Sequence, residues 1–195
     1  MAQYKTSLGR VAFGNLVEAR TSEFGKTEWT IGLVIDEAAA NQMLLRMEED
    51  LEGYRKGGPQ RANFPVLASI RTGIKPSETK QEDGTKVPDP GNFLCVFKRQ
   101  TTWKSKIGDL NRNTPPRMYD SLGRIIDPIE VPRGSKGVVV YEHSIYNNPG
   151  NKGISLRLVG FQIAELADSD SILMEPIEGG TFVSEPEEPA LEPTF

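Results

Sequence analysis

The stretch from Ser135 to Ala164 constrains this chain most, because it reads as two strands folded back on one turn. Val138, Val139, Val140 and Tyr141 open a β-branched and aromatic run that continues through Ile145 and Tyr146. Asn147-Asn148-Pro149-Gly150-Asn151 breaks that run, since Asn and Gly tolerate positive φ and Pro cannot continue a ladder. In the second run Ile154, Leu156 and Leu158 alternate with Ser155 and Arg157, the period of two of a half-buried strand. One face of such a hairpin packs and the other is free to bind.

The N-terminal half supplies partners for it. Arg10 to Ala19 alternates as a strand, with Val11, Phe13 and Asn15 on one face and Ala12, Gly14 and Leu16 on the other. After a turn at Thr21 to Lys26, Trp29, Ile31, Leu33 and Ile35 share a face opposite Glu28, Thr30 and Gly32, so the two segments form a hairpin. Asp36 can cap the helix that follows, in which Ala40, Met43, Leu44, Met47 and Leu51 recur at helical spacing and Gly53 suits the stop. That apolar stripe predicts a helix packed on the core.

Further along, Tyr54 to Arg61 reads as a Gly-Pro turn, Phe64 to Arg71 as a short strand, and Gly73 to Gly91 as a mobile loop with almost nothing to bury. Phe93 to Phe97 is a strand holding Cys95, expected to be a buried reduced thiol. Met118 to Ile126 reads as a strand interrupted at Ser121-Leu122-Gly123. Beyond Leu166 the acidic residues and prolines predict disorder.

The net charge of −4 conceals a division along the chain. From Glu165 onward there are nine acidic residues and no Lys or Arg, which leaves the preceding body with 23 basic and 18 acidic residues, a net of +5. Charge blocks of this kind are often interaction tails. The length of 195 residues suits one sizeable core.

The run Tyr146-Asn147-Asn148-Pro149-Gly150-Asn151-Lys152-Gly153-Ile154, leading into an apolar strand, resembles a tailed-phage family once described as of unknown function. Members of that family are regarded as single-stranded DNA-binding proteins. The resemblance extends from about Gly9 to Leu166 and implies a mainly β fold. That fold is an oligonucleotide-binding (OB) barrel, OB-like and antiparallel, over residues 1–166, with one packing helix and long basic loops. Residues 167–195 would form the disordered acidic tail. With no apolar run in Met1-Ala2-Gln3-Tyr4-Lys5 and no stretch of membrane-spanning length, the expected place of a phage product is the host cytoplasm.

Enzymatic signatures are missing from the sequence. His143 is the only histidine, which rules out a multi-histidine metal site and points to a structural role. Gly134-Ser135-Lys136-Gly137 and Gly150-Asn151-Lys152-Gly153 lack the spacing of a nucleotide-hydrolysing loop, and Glu48-Glu49-Asp50 with Glu52 reads as a solvated helix face.

Single-strand binding instead requires cations for the backbone and aromatic rings for the bases. Trp103 flanked by Arg99, Lys104 and Lys106, in a basic stretch that also holds Lys98 and Arg112, is the best local cluster; Arg117 with Tyr119 is the next, and Tyr146 with Lys152 and Arg157 the third. Arg71 and Lys75 complete the candidates. Any one of these rings could be core; the basic interleaving is what favours binding.

The expected ligand is single-stranded DNA, bound largely without regard to sequence and with no metal or other cofactor. The terminal Glu185-Pro186-Glu187-Glu188-Pro189-Ala190-Leu191-Glu192-Pro193-Thr194-Phe195 is similar to the acidic, aromatic-ended tails with which bacterial and phage single-strand binders recruit replication enzymes. That similarity implies partner contacts by Glu187, Glu188, Glu192 and Phe195; a merely solvating terminus is the other reading. A structural phage protein and a nuclease remain as alternatives, and self-association stays open.

Overall fold

The computed structural model describes residues 2–22, 25–80, 84–104, 107–148 and 150–167. Its strands are β1 (Gln3–Lys5), β2 (Gly9–Thr21), β3 (Thr27–Asp36), β4 (Ile74–Lys80), β5 (Lys86–Gln100), β6 (Thr102–Lys104), β7 (Leu110–Arg112), β8 (Arg117–Tyr119), β9 (Ile125–Ile126), β10 (Lys136–Asn148) and β11 (Asn151–Glu165). Helix α1 (Glu37–Lys56), the short α2 (Pro59–Ala62) and a 3-10 turn at Leu67–Ser69 lie between β3 and β4.

Five of these strands close on one another. β2 pairs β3, β3 pairs β5, β5 pairs β11 in parallel, β11 pairs β10, and β10 returns to β2 through Lys136↔Arg10 and Gly137↔Gly9. This is the five-stranded Greek-key barrel of the OB fold. β1 extends the edge of β10 through Gln3↔Glu142, Tyr4↔Tyr141 and Lys5↔Val140.

The expected hairpin is the longest ladder in the molecule, running from Lys136↔Glu165 to Asn148↔Asn151, with Gly150 at φ +73° in its turn. Its alternation places Val139, Tyr141, Ile154, Leu156 and Leu158 in the core beside Ile31, Leu33, Ile35, Cys95 and Phe97. Each of these large apolar side chains contributes roughly 1.5–3 kcal/mol by leaving water.

Helix α1 buries Ala40, Met43, Met47 and Leu51 and packs against β3, β5 and β10. Asp36 caps it, its carboxylate accepting from the Ala39 amide at 2.7 Å. The helix does not stop at Gly53. It continues to Lys56 because its last turn is held from outside: Tyr54 meets Phe64 edge-on at 5.3 Å, and Arg55 donates to the carbonyls of Phe64 at 3.1 Å and Pro65 at 2.6 Å. Those contacts offset the cost of an interior glycine, about 1 kcal/mol.

The same contacts turn the Phe64 to Arg71 segment into a 3-10 connection rather than a strand, since Arg55 occupies the carbonyls a ladder would need.

Two further expectations are corrected. In β2 the register shifts between Val11↔Leu33 and Phe13↔Gly32, so Ala12 is bulged and Phe13 leaves the core face, lying over Gly32 at the surface. Within the expected loop of residues 73–91, residues 74–80 and 86–91 are strand: β4 folds back on β5 from Ile74↔Cys95 to Lys80↔Lys86. Main-chain pairing, not burial, forms this ribbon, which is why its polar composition gave no strand signal.

Below the barrel, Asp50 does not lie on a purely solvated helix face. Its carboxylate accepts from the Tyr4 hydroxyl at 2.9 Å and from His143 Nδ1 at 2.7 Å, tying α1 to β1 and β10. Burial outweighs Asp50 in setting the His143 pKa, which is lowered, and the Tyr4 phenol is pushed up to about 12 by burial and then by its bond to Asp50. Among the described residues no helix is long and apolar enough to cross a membrane.

Candidate nucleic-acid interface

The outward face of the barrel carries a polar rung across four strands. Thr30 on β3 faces Lys98 on β5, Lys98 faces Arg157 on β11, and Arg157 faces Glu142 on β10. Alternation turns Thr30, Lys98 and Arg157 outward while their neighbours Ile31, Phe97, Leu156 and Leu158 fill the core; Glu142, at the end of the rung, is itself buried between Tyr141 and His143.

Beside this rung lies an open cleft of about 1170 Å³. Its walls come from Ser22 and Lys26 at the β2–β3 turn, Glu28 on β3, Lys98, Arg99 and Gln100 at the end of β5, Trp103 on β6 and Asn113 after β7. Ser144, Tyr146 and Asn148 of β10, Asn151, Ser155 and Arg157 of β11, and Arg71 close it on the other side. In OB folds the faces of the second and third strands, with the 1–2 and 4–5 loops, bind oligonucleotides. Here those are β3 and β5, with Ser22 and Lys26 of the first turn and Asn148 and Asn151 of the last, all of which line the cleft.

Two aromatic rings stand on it. Trp103 is 49% exposed on the β6–β7 hairpin, which Thr101 fixes to the barrel by donating its amide to Thr27 O at 2.9 Å, while Asn113 Nδ2 donates to Gln100 O at 2.7 Å. Tyr146 lies over Gly153, its partner across the β10–β11 ladder. Gly153 also lets the main chain of Arg71 approach: the two form an isolated parallel bridge, and the Ile154 amide donates to Arg71 O at 2.9 Å.

The cations differ in their surroundings. Lys98 donates to Glu28 at 2.5 Å and Arg157 to Glu142 at 3.4 Å. Arg99 is half-buried, donating to Leu158 O at 3.3 Å and Thr114 Oγ1 at 3.4 Å, while its buried Nε meets no partner among the described residues. Burial first, then the charge of Arg157, lowers its pKa, with Glu142 opposing. A guanidinium remains cationic at neutral pH regardless.

Of the residues singled out in the sequence, Arg71, Lys98, Arg99, Trp103, Tyr146 and Arg157 come together in the cleft. Lys75 is exposed on β4, Arg112 on β7, and Lys152 on the face of β11 opposite Asn151. Arg117 and Tyr119 lie on β8 beside Gly160 and Gln162, towards the opposite end of the hairpin, with the Tyr119 ring packed against the wall at Gly160. The side chain of Lys104, together with Lys106, Glu187, Glu188, Glu192, Phe195 and the rest of the acidic tail, lies outside the described residues.

Sequence reasoning missed Lys26, whose only signal is its place in the first hairpin turn, and the carboxylates Glu28 and Glu142, both buried beside cations that lie on other strands. Among the described residues no group of three or more His, Cys, Asp or Glu side chains could hold a metal ion.

Fold and cleft together define an OB-fold barrel with a cationic, aromatic-walled groove across its second and third strands. The same fold is seen in gp2.5, a single-stranded DNA-binding protein encoded by bacteriophage T7, at 15% identity over 91% of this chain and 99% of that one, with a TM-score of 0.59. The single-stranded DNA-binding protein from bacteriophage Enc34, solved in complex with single-stranded DNA, matches at 15% identity over 85% of this chain and 88% of that one, with a TM-score of 0.60. No sequence family and no curated protein matches the chain. The fold implied by the Tyr146 to Ile154 turn is therefore borne out, and its structural relatives are phage single-strand binders.

Proposed function

We propose that the cleft binds single-stranded DNA, largely independently of sequence, and that the protein coats single strands exposed in phage replication or recombination within the host cytoplasm. The observation that carries this reading is the convergence of Trp103 and Tyr146 with Lys98, Arg99, Arg157 and Arg71 where an OB barrel takes oligonucleotides. The fold shared with phage single-strand binders, one of them solved with DNA, supports it. Titration with oligo-dT and with a duplex of equal length tests it. Stacking requires exposed bases, so the single strand binds far more tightly; equal affinity at physiological salt overturns the reading.

The acidic tail is part of the same proposal. Glu165, the first of the nine acidic residues, is fixed in β11 against Lys136; the eight that follow, tethered to a basic body, compete with phosphates when DNA is absent, and DNA releases the tail so that Glu187, Glu188, Glu192 and Phe195 engage replication or recombination proteins. Deleting residues 184–195 then tightens DNA binding, most at low salt, and abolishes pull-down of such partners. No change in either measurement reduces the tail to a solubilising terminus.

A further inference from the structure

Two cations of the cleft are already neutralised by carboxylates that the barrel itself buries. Glu28 and Glu142 are the fixed members of these pairs, with side chains 10% and 11% exposed, whereas Lys98 and Arg157 are 51% and 37% exposed. Glu142 is also held from the far side, where Gln3 Nε2 donates to it at 3.1 Å. Lys26 and Arg71 line the same cleft differently: among the described residues neither is in an ion pair.

We propose that Glu28 and Glu142 are built-in counter-ions of the cleft, which Lys98 and Arg157 exchange for phosphates when a single strand binds. The inference rests on the cleft being the DNA site. A protein cation that neutralises a phosphate normally releases condensed ions, and on single strands each such contact adds about 0.7 to the slope of log affinity against log salt. A Lys98–Glu28 pair carries no net charge. When a phosphate takes Lys98, Glu28 gathers a cation from solution, and the net ion release at that contact falls to nothing. Lys98 and Arg157 therefore serve as hydrogen-bond donors without steepening the salt dependence, which Lys26, Arg71 and Arg99 set. The displaced carboxylate stays within reach at high effective concentration, so the phosphate can be handed back without the protein leaving the strand.

The test is the salt dependence of oligo-dT affinity for the full chain, Glu28→Gln, Glu142→Gln and Glu165→Gln. Glu165 pairs with Lys136 at 2.9 Å at the end of the β10–β11 hairpin remote from the cleft, so its variant loses the same charge elsewhere. Glu28→Gln and Glu142→Gln each bind more tightly at low salt and steepen the slope by about 0.7, an extra loss of roughly fivefold per tenfold rise in salt. Glu165→Gln tracks the native protein, and Lys98→Ala added to Glu28→Gln restores the native slope.

Equal steepening in all three variants, or none in the two cleft variants, overturns the proposal. So does a Glu28→Gln protein that is weaker at every salt with an unchanged slope, because Glu28 would then only hold Lys98 in position. If Glu28→Gln does not fold, Glu142→Gln carries the test alone. Failure of the native chain to bind oligo-dT at all is a separate outcome, which removes the cleft reading and this inference with it.

Discussion

Tyr146 lies across Gly153 so closely that a Cβ at position 153 would come within 2.6 Å of the tyrosine Cζ and 2.7 Å of the Arg71 carbonyl oxygen. The glycine of the turn motif is thus a matter of space: it admits the Tyr146 ring on one side and the Arg71 main chain on the other.

Gly153→Ala is therefore expected to displace both Tyr146 and Arg71. Overpacking of this kind costs about 1–3 kcal/mol of stability, and oligo-dT affinity falls with it. Adding Tyr146→Ala does not restore stability, because the Arg71 carbonyl still blocks the methyl group. A Gly153→Ala protein with native urea midpoint and native affinity would show that the rim is not built on this contact.

Much of the barrel was legible because its signals are local. Ile154, Leu156 and Leu158 alternate, Trp29 to Ile35 alternates, and Asp36 precedes a helical stripe; each needs only a short window of sequence. The cleft is not local in this sense. Trp103 and Tyr146 each stood out beside basic residues, but their shared site depends on the parallel pairing of Phe97–Lys98 with Leu156–Arg157, which no short window encodes. Glu28 and Glu142 carry no signal of their own for the same reason, since the cations they pair with lie on other strands. Phe13 was misplaced because a single bulged residue inverts every later face of a strand, and β4 because hydrogen bonding without burial leaves no hydrophobic period.

Trp103 and Tyr146 are expected to stack on bases, so Trp103→Ala and Tyr146→Ala should each weaken oligo-dT binding by about 1–3 kcal/mol. The two tryptophans separate the signals: Trp29 is 7% exposed in the core and Trp103 is 49% exposed in the cleft. DNA-dependent quenching of tryptophan emission should come from Trp103 and vanish in Trp103→Phe while binding persists. Quenching that survives this replacement would place the bound strand elsewhere.

Cys95 is fully buried and its thiol is pushed up to about 12 by burial. The thiolate is the reactive form, so a thiol reagent at pH 8 should leave the native protein unmodified and label it stoichiometrically in denaturant. Labelling of the native protein at the rate of a free thiol would show that the β3–β5 core opens readily.

The Asp50–His143 contact gives stability a defined pH dependence. His143 is packed among Tyr4, Tyr141, Asp50 and Arg46; burial lowers its pKa from the ordinary 6.5, Asp50 opposes that shift, and Arg46 adds to it. Above about pH 6.5 neither the native nor the unfolded histidine holds the extra proton, and the full stability is present. As pH falls below that value the unfolded chain takes up the proton first, so stability declines until the native imidazole is also protonated. Tyr4, with its pKa at about 12, stays neutral throughout and does not contribute to the window. The urea midpoint should therefore drop between pH 7 and pH 5 in the native protein and drop less in His143→Gln, in which the proton-binding group is gone. The imidazole carbon-bound proton resonances should titrate below pH 6.5 in the folded protein. A folded-state titration above 6.5, or a native midpoint that rises on acidification, would mean that Asp50 and not burial governs this histidine.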